Sequence, residues 1–154
     1  MKVASEHEVL KLLDTLIDVE VQLARYYHVM TYYMPEQGDT WKKLARQETT
    51  HGRLLEKIHR TAEAEPEKFA PGQFSEASAR MVVNEVDDMR KKILCEEITP
   101  QRAISFILDI EDSVFECYAS EAVQTESVEA NEILEKLKTE TDEHRRLLKN
   151  LTDG

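Results

Sequence analysis

Four stretches of this chain place apolar residues at alternating spacings of three and four, and each run is broken near its middle by an acid or a histidine. The first reads Leu13, Leu16, Glu20, Leu23, Tyr27, Met30, Met34, and the second Trp41, Leu44, Glu48, His51, Leu55, Ile58. The third reads Ile104, Ile107, Glu111, Val114, Tyr118, and the fourth Leu134, Leu137, Thr141, His144, Leu148, Leu151. This spacing puts every member of a run on one stripe of an α-helix. Four such stripes have to face one another, and the polar interruptions then come inward with the rest. Burying a carboxylate without a partner costs several kcal/mol. One interruption would be unremarkable; four near helix centres call for a shared cation.

Turn and cap residues set the expected boundaries. The first helix is predicted over about 5–34, with Ser5 and Glu8 as a capping box and a stop before Pro35. The second is predicted over about 40–63, with Asp39 or Thr40 as its N-cap. Residues 65–74 contain Pro66, Pro71 and Gly72 and read as a linker. An extra helix follows over 75–94, capped by Ser75, with Met81, Val82, Val86, Met89 and Ile93 on its inner face and no acid on that stripe. The third bundle helix opens at Thr99-Pro100 and is predicted over 100–124; the fourth is predicted over 127–151. Alternating β-branched runs bounded by turns are missing, so no sheet is expected. The extra helix cannot make a core of its own and fits the long crossover that some four-helix bundles need. The expected architecture is therefore a single all-α domain over 1–154, a four-helix bundle with an extra helix in the crossover.

Composition narrows the partners. A chain of 154 residues can bury a substantial core without disulfides. The two cysteines, Cys95 and Cys117, form no paired motif, which argues against a disulfide framework and excludes a zinc ribbon or rubredoxin-type site. The formal net charge of -11 disfavours nucleic acid and anionic membranes as partners. The first residues, MKVASEHEVLKLL, are too charged for a secretory signal. No apolar run approaches the roughly 18–20 residues that span a bilayer. A cytoplasmic protein is expected.

The chain also repeats itself. Val19-Glu20 with Tyr27 matches Ile110-Glu111 with Tyr118, and His51 with Leu54, Leu55 and Ile58 matches His144 with Leu147, Leu148 and Leu151. A pseudo-two-fold bundle would set the two halves around a shared centre. Within it, Glu48 and His51 lie one turn apart on one helix face and can reach one metal ion. His51 alone would read as a hydrogen-bonded core histidine; beside Glu48 it reads as a ligand. Glu20 and Glu111 have a competing reading as partners of Arg25 or Arg102 at an interface. His7, His28 and His59 read as surface residues, and Cys117 as a packed thiol.

A Glu on each of two helices with Glu-x-x-His on the other two is the pattern of ferritin-like di-metal carboxylate bundles. Through Glu20 with Tyr27, the run Glu48-Thr49-Thr50-His51, Glu111 with Tyr118, and His144, the chain resembles the ferritin-like superfamily and, within it, the rubrerythrin-like branch. The resemblance covers roughly residues 5–152. It implies a ferritin-like fold and two metal ions, iron first, with manganese or zinc as alternatives. It implies oxidoreductase activity on peroxide, dioxygen or Fe(II). The ligands it implies are Glu20, Glu48, His51, Glu111 and His144, with Glu140 as a further candidate.

Two departures qualify it. The pattern expects Glu three residues before the last histidine, and this chain has Thr141. Glu140, four residues before His144, could reach the same ion; a register using Glu140 and Glu143 is the alternative, and a weakened or lost metal position the third outcome. A neutral Thr141 predicts looser binding nearest His144 and tighter binding at the Glu48–His51 end. The second departure is the lack of a Cys-x-x-Cys domain, so a redox role calls for an external electron donor. Tyr27 and Tyr118 read as core aromatics or as hydrogen-bond partners of Glu111 or Glu20. A homodimer is expected, with the tyrosine pairs 26–27 and 32–33 as packing or interface residues. Competing functions are metal binding or iron storage without turnover, and a degenerate bundle acting as an interaction module, which Thr141 favours.

Overall fold

The computed structural model describes residues 2–153, and side chains from Ser5 to Thr152. Five helices account for most of it: α1 (Lys2–Tyr33), α2 (Gly38–Ala64), α3 (Glu76–Leu94), α4 (Pro100–Ala119) and α5 (Val128–Asp153). The stripes predict the inner faces well. Every member of the four runs is buried except Leu134 and Leu151, which are half-buried and pack on the core edge. α1 packs on α2 and α3, α4 on α5, and α2 meets α5 across the core. The crossover helix α3 leans on α1, where the Glu76 carboxylate accepts from the buried Thr15 hydroxyl and Arg80 reaches Asp18 at 3.2 Å. No helix among the described residues is long and apolar enough to cross a membrane.

Local capping explains three of the starts. The Ser75 hydroxyl accepts from the Ser78 amide, Thr99 from Arg102, and Ser127 from Ala130. Each satisfies an amide that the first helical turn leaves without a partner.

Several expectations need correcting. α1 runs through Ser5 instead of starting there, and α2 begins at Gly38 after a 3-10 turn at Pro35–Gln37, with neither Asp39 nor Thr40 as cap. Met81 is 62% exposed, and Ala79 and Val83 take the inner face of α3 with Val86 and Ile93. α4 ends at Ala119, five residues before the expected 124. The expected absence of sheet also fails: β1 (Phe69–Pro71) and β2 (Val123–Thr125) pair antiparallel, Phe69 opposite Thr125 and Pro71 opposite Val123.

This ribbon ties the crossover to the α4–α5 connection. Glu121 enters it in the left-handed region at φ 55°, which stops α4 without a glycine. Beside it, a Cβ on Gly72 would overlap the Glu121 carbonyl oxygen, so only glycine fits that close approach.

Candidate metal centre

The four interruptions meet at mid-bundle. Glu20, Glu48, His51, Glu111 and His144 are each at most 2% exposed, although together they come from α1, α2, α4 and α5. They form two groups, Glu20 with Glu48 and His51, and Glu48 with Glu111 and His144, each with ligand atoms within 4.8 Å of one another. Glu48 belongs to both. Its Oε2 lies 3.5 Å from His51 Nδ1, and its Oε1 lies 2.6 Å from His144 Nδ1. The outer acids complete the pairs, with Glu20 Oε2 3.7 Å from His51 Nδ1 and Glu111 Oε1 3.7 Å from His144 Nδ1. The two imidazoles lie side by side, ring centres 5.4 Å apart and planes 22° off parallel.

These distances are close to those that two ligands of one metal ion would keep. Nitrogen and oxygen ligands sit about 2.0–2.2 Å from an ion such as zinc, so two of them are separated by roughly 2.8–3.6 Å at right-angle or tetrahedral geometry. The 3.5 Å separation lies within that range, the 3.7 Å ones just above it and the 2.6 Å one just below it. Hydrogen bonding leaves the inward atoms unserved. Glu20 Oε2, Glu48 Oε1, His51 Nδ1, Glu111 Oε2 and His144 Nδ1 are all buried with no hydrogen-bond partner of acceptable geometry. Five orphaned polar atoms buried within these two groups are costly to leave unserved. The two buried Glu/His groups can hold metal ions.

One oxygen of each outer acid is held in place by a tyrosine. The Tyr27 hydroxyl donates to Glu111 Oε1 at 2.6 Å, and Tyr118 donates to Glu20 Oε1 at 2.7 Å. Each tyrosine thus serves the acid of the other half of the repeat. Burial together with the neighbouring glutamates pushes both phenols well above their usual range, so they stay donors. Arg25 and Arg102 are exposed and make no pair with Glu20 or Glu111, which removes the arginine-interface reading.

Protons offset part of the negative charge gathered here. Burial, reinforced by the charge of Glu48, lifts the Glu20 carboxyl to about 8. Burial alone would lower His51, but Glu20 and Glu48 outweigh it and lift the ring to about 11. His144 is lifted to about 10 against burial, by Glu48 and Glu111. Burial and Glu111 push Glu48 up, yet the Glu20 carboxyl and the His144 cation beside it win, and it stays below the usual carboxylate value. A site that binds protons this firmly is short of positive charge.

Glu140 and Thr141 are placed differently from the sequence reading. Glu140 is 22% exposed, belongs to neither group, and accepts from His51 Nε2 at 3.1 Å on the far side of the ring. It therefore does not stand in for the acid missing at Thr141, and it serves the histidine of the opposite half. Thr141 is buried, as its stripe predicts. The looser binding expected nearest His144 loses its geometric ground, because Glu48 gives one oxygen to each histidine and both groups hold two acids and one imidazole.

Gln47 was not singled out from the sequence, and its Oε1 accepts from His144 Nε2 at 2.7 Å. The repeat contained the signal, since Gln47 and Glu140 each stand four residues before a paired histidine. His28 is exposed, whereas His59 is partly covered and bridges Asp14 and Glu63. Of the tyrosine pairs, Tyr26 and Tyr27 are fully buried and Tyr32 is 75% exposed. Cys117 is buried and its thiol is pushed far up by that burial. Compared with family models, curated proteins and solved structures, the chain matches none.

Proposed function

We propose that this protein is a ferritin-like, rubrerythrin-like non-haem di-iron protein, with iron or an iron–manganese pair, that oxidises or reduces peroxide, dioxygen or Fe(II). The observation that carries the reading is Glu48, buried between two Glu/His groups with one oxygen turned to each histidine. A carboxylate so placed is a ready bridge between two ions. The mixed carboxylate and imidazole donors suit iron and manganese.

Two close redox-active ions would supply two electrons to one oxidant, the requirement for peroxide cleavage. The chain's own groups do the rest. Glu20, Glu111 and Glu48 offset the charge of two divalent ions incompletely, three negatives against four positives, so a small anion is favoured at the centre. Tyr27 and Tyr118 each donate a hydrogen bond that orients one outer acid. The stripes of leucine, isoleucine and valine above and below keep bulk water away. Cys95 and Cys117 make no redox pair, so electrons come from a donor outside these 154 residues.

The test is anaerobic loading with Fe(II), metal counting, and mixing with hydrogen peroxide. Two irons per chain, oxidised together by one peroxide, support the reading. Two ions bound with no peroxide or dioxygen reactivity would replace it with storage. No specific binding would overturn it.

A further inference from the structure

The centre is nearly two-fold symmetric. Glu20 matches Glu111, Tyr27 matches Tyr118, and His51 matches His144, and the tyrosines cross over to serve the opposite acids. Two matched positions break the symmetry. Glu48 is matched by Thr141, and Gln47 is matched by Glu140. The first break lies on the axis, since Glu48 is shared by both groups, and it favours neither end. The second lies off the axis. Glu140 stands behind His51 and Gln47 stands behind His144, each reaching across from the opposite helix.

A carboxylate cannot donate a hydrogen bond when ionised, so the Nε2 of His51 is the donor to Glu140. The carbonyl of Gln47 likewise takes its proton from His144 Nε2. In both rings Nε2–H is thereby fixed, and Nδ1, which faces the acids, is the nitrogen left for a metal once its proton is displaced. The partners differ in one respect that matters to a metal: Glu140 carries a formal negative charge and Gln47 does not. A carboxylate behind an imidazole draws on its N–H and makes the other nitrogen a stronger donor; an amide does this less. Lys136 approaches the other Glu140 oxygen only at 3.9 Å and is 55% exposed, so it screens weakly. The cleft outside this pair holds about 520 Å³ and also carries Glu132, Glu135 and Glu143, so it adds no compensating positive charge beyond Lys136.

We infer that Glu140 and Gln47 are positioning residues that make the two ends of the centre unequal, with the His51 end holding its ion more tightly and at lower reduction potential. The inference rests on the metal-binding reading above. It gives the same ranking of ends that the sequence suggested, from a different cause.

The experiment is calorimetric titration of the metal-free protein with Fe(II) under anaerobic conditions. Crystals grown at half-stoichiometric iron and measured at the iron edge show which end fills first. The wild type is expected to bind two ions with affinities separated by roughly 10–100-fold, the size typical of partners behind a metal-bound imidazole. The His51 end should fill first. Glu140→Gln should bring the two affinities together. Gln47→Glu should raise affinity at the His144 end, a gain that misfolding cannot mimic. The double exchange, Gln47→Glu with Glu140→Gln, should reverse the order of filling and of the two reduction potentials.

Two ions of equal affinity in the wild type would overturn the inference and leave the metal reading intact. So would a double exchange that fails to reverse the order. A wild type that takes up no iron would instead overturn the reading beneath it.

Discussion

Removing Glu48 should abolish both metal positions, whereas removing Glu20 or Glu111 should abolish one. Glu48 is the only residue shared by the two groups; without it each is reduced to one acid and one histidine. The size of the effect follows from mass action. At free metal one hundred times the dissociation constant, a filled site stabilises the native state by about 2.7 kcal/mol, so two sites give about 5 kcal/mol. In a chain of this length each kcal/mol moves the melting temperature by roughly 2–4 °C. Loading should therefore raise the wild-type Tm by about 10–20 °C. It should raise that of Glu20→Ala or Glu111→Ala by only part as much, the larger part in Glu111→Ala, which keeps the tighter His51 end, and leave Glu48→Ala almost unmoved. The quantity compared is the shift between loaded and metal-free protein within each variant, so the cavity left by each alanine cancels. Differential scanning calorimetry with metal counting measures both sides. If Glu48→Ala kept a full ion, or if Glu20→Ala lost both, the shared-ligand argument would be wrong.

Three further outcomes are expected. At pH 7 the empty centre holds protons on Glu20, His51 and His144, raised to about 8, 11 and 10 from ordinary values of 4.5, 6.5 and 6.5. Filling both sites should then release about three protons, read by calorimetry in buffers of different ionisation enthalpy. Because these pKa values are higher folded than unfolded, metal-free stability should fall as pH rises. The Glu20 part is lost between 4.5 and about 8, and the histidine part between 6.5 and about 10–11. A metal-free protein that grew more stable over that range would refute the assignment. Thr141→Glu supplies an acid opposite Glu48 in the repeat and should strengthen both metal positions; a gain confined to the His144 end in a titration would show that Glu48 is not shared. Gly72→Ala should cost about 1–3 kcal/mol in a denaturant titration by forcing β1 away from the α4–α5 connection, with the metal count unchanged.

What the sequence determined by itself was periodic or repeated. The 3-4 spacing identified the inner faces of α1, α2, α4 and α5, because a helix has one geometry and burial selects one stripe of it. The interruptions on those stripes named Glu20, Glu48, His51, Glu111 and His144, since a residue at a core position of a packed helix has nowhere else to point. Ser75 and Thr99 marked helix starts because a cap acts within one turn of chain.

What only the tertiary structure decided depended on residues distant in sequence. α4 stops at Ala119, where Glu121 turns left-handed and leads into Val123–Thr125, and the strand it joins, Phe69–Pro71, lies more than fifty residues earlier. Met81 is exposed while Ala79 and Val83 are buried in α3, which packs chiefly on α1, and that packing is made with residues distant in sequence. Glu140 and Gln47 are the sharpest case. The place of Glu140 four residues before His144 suggested a ligand on the same helix, and Gln47 drew no reading at all, yet each side chain crosses to the opposite histidine. Helical spacing fixes which residues share a face, and only the packing of α2 against α5 fixes which partner a side chain at the edge of that face can reach.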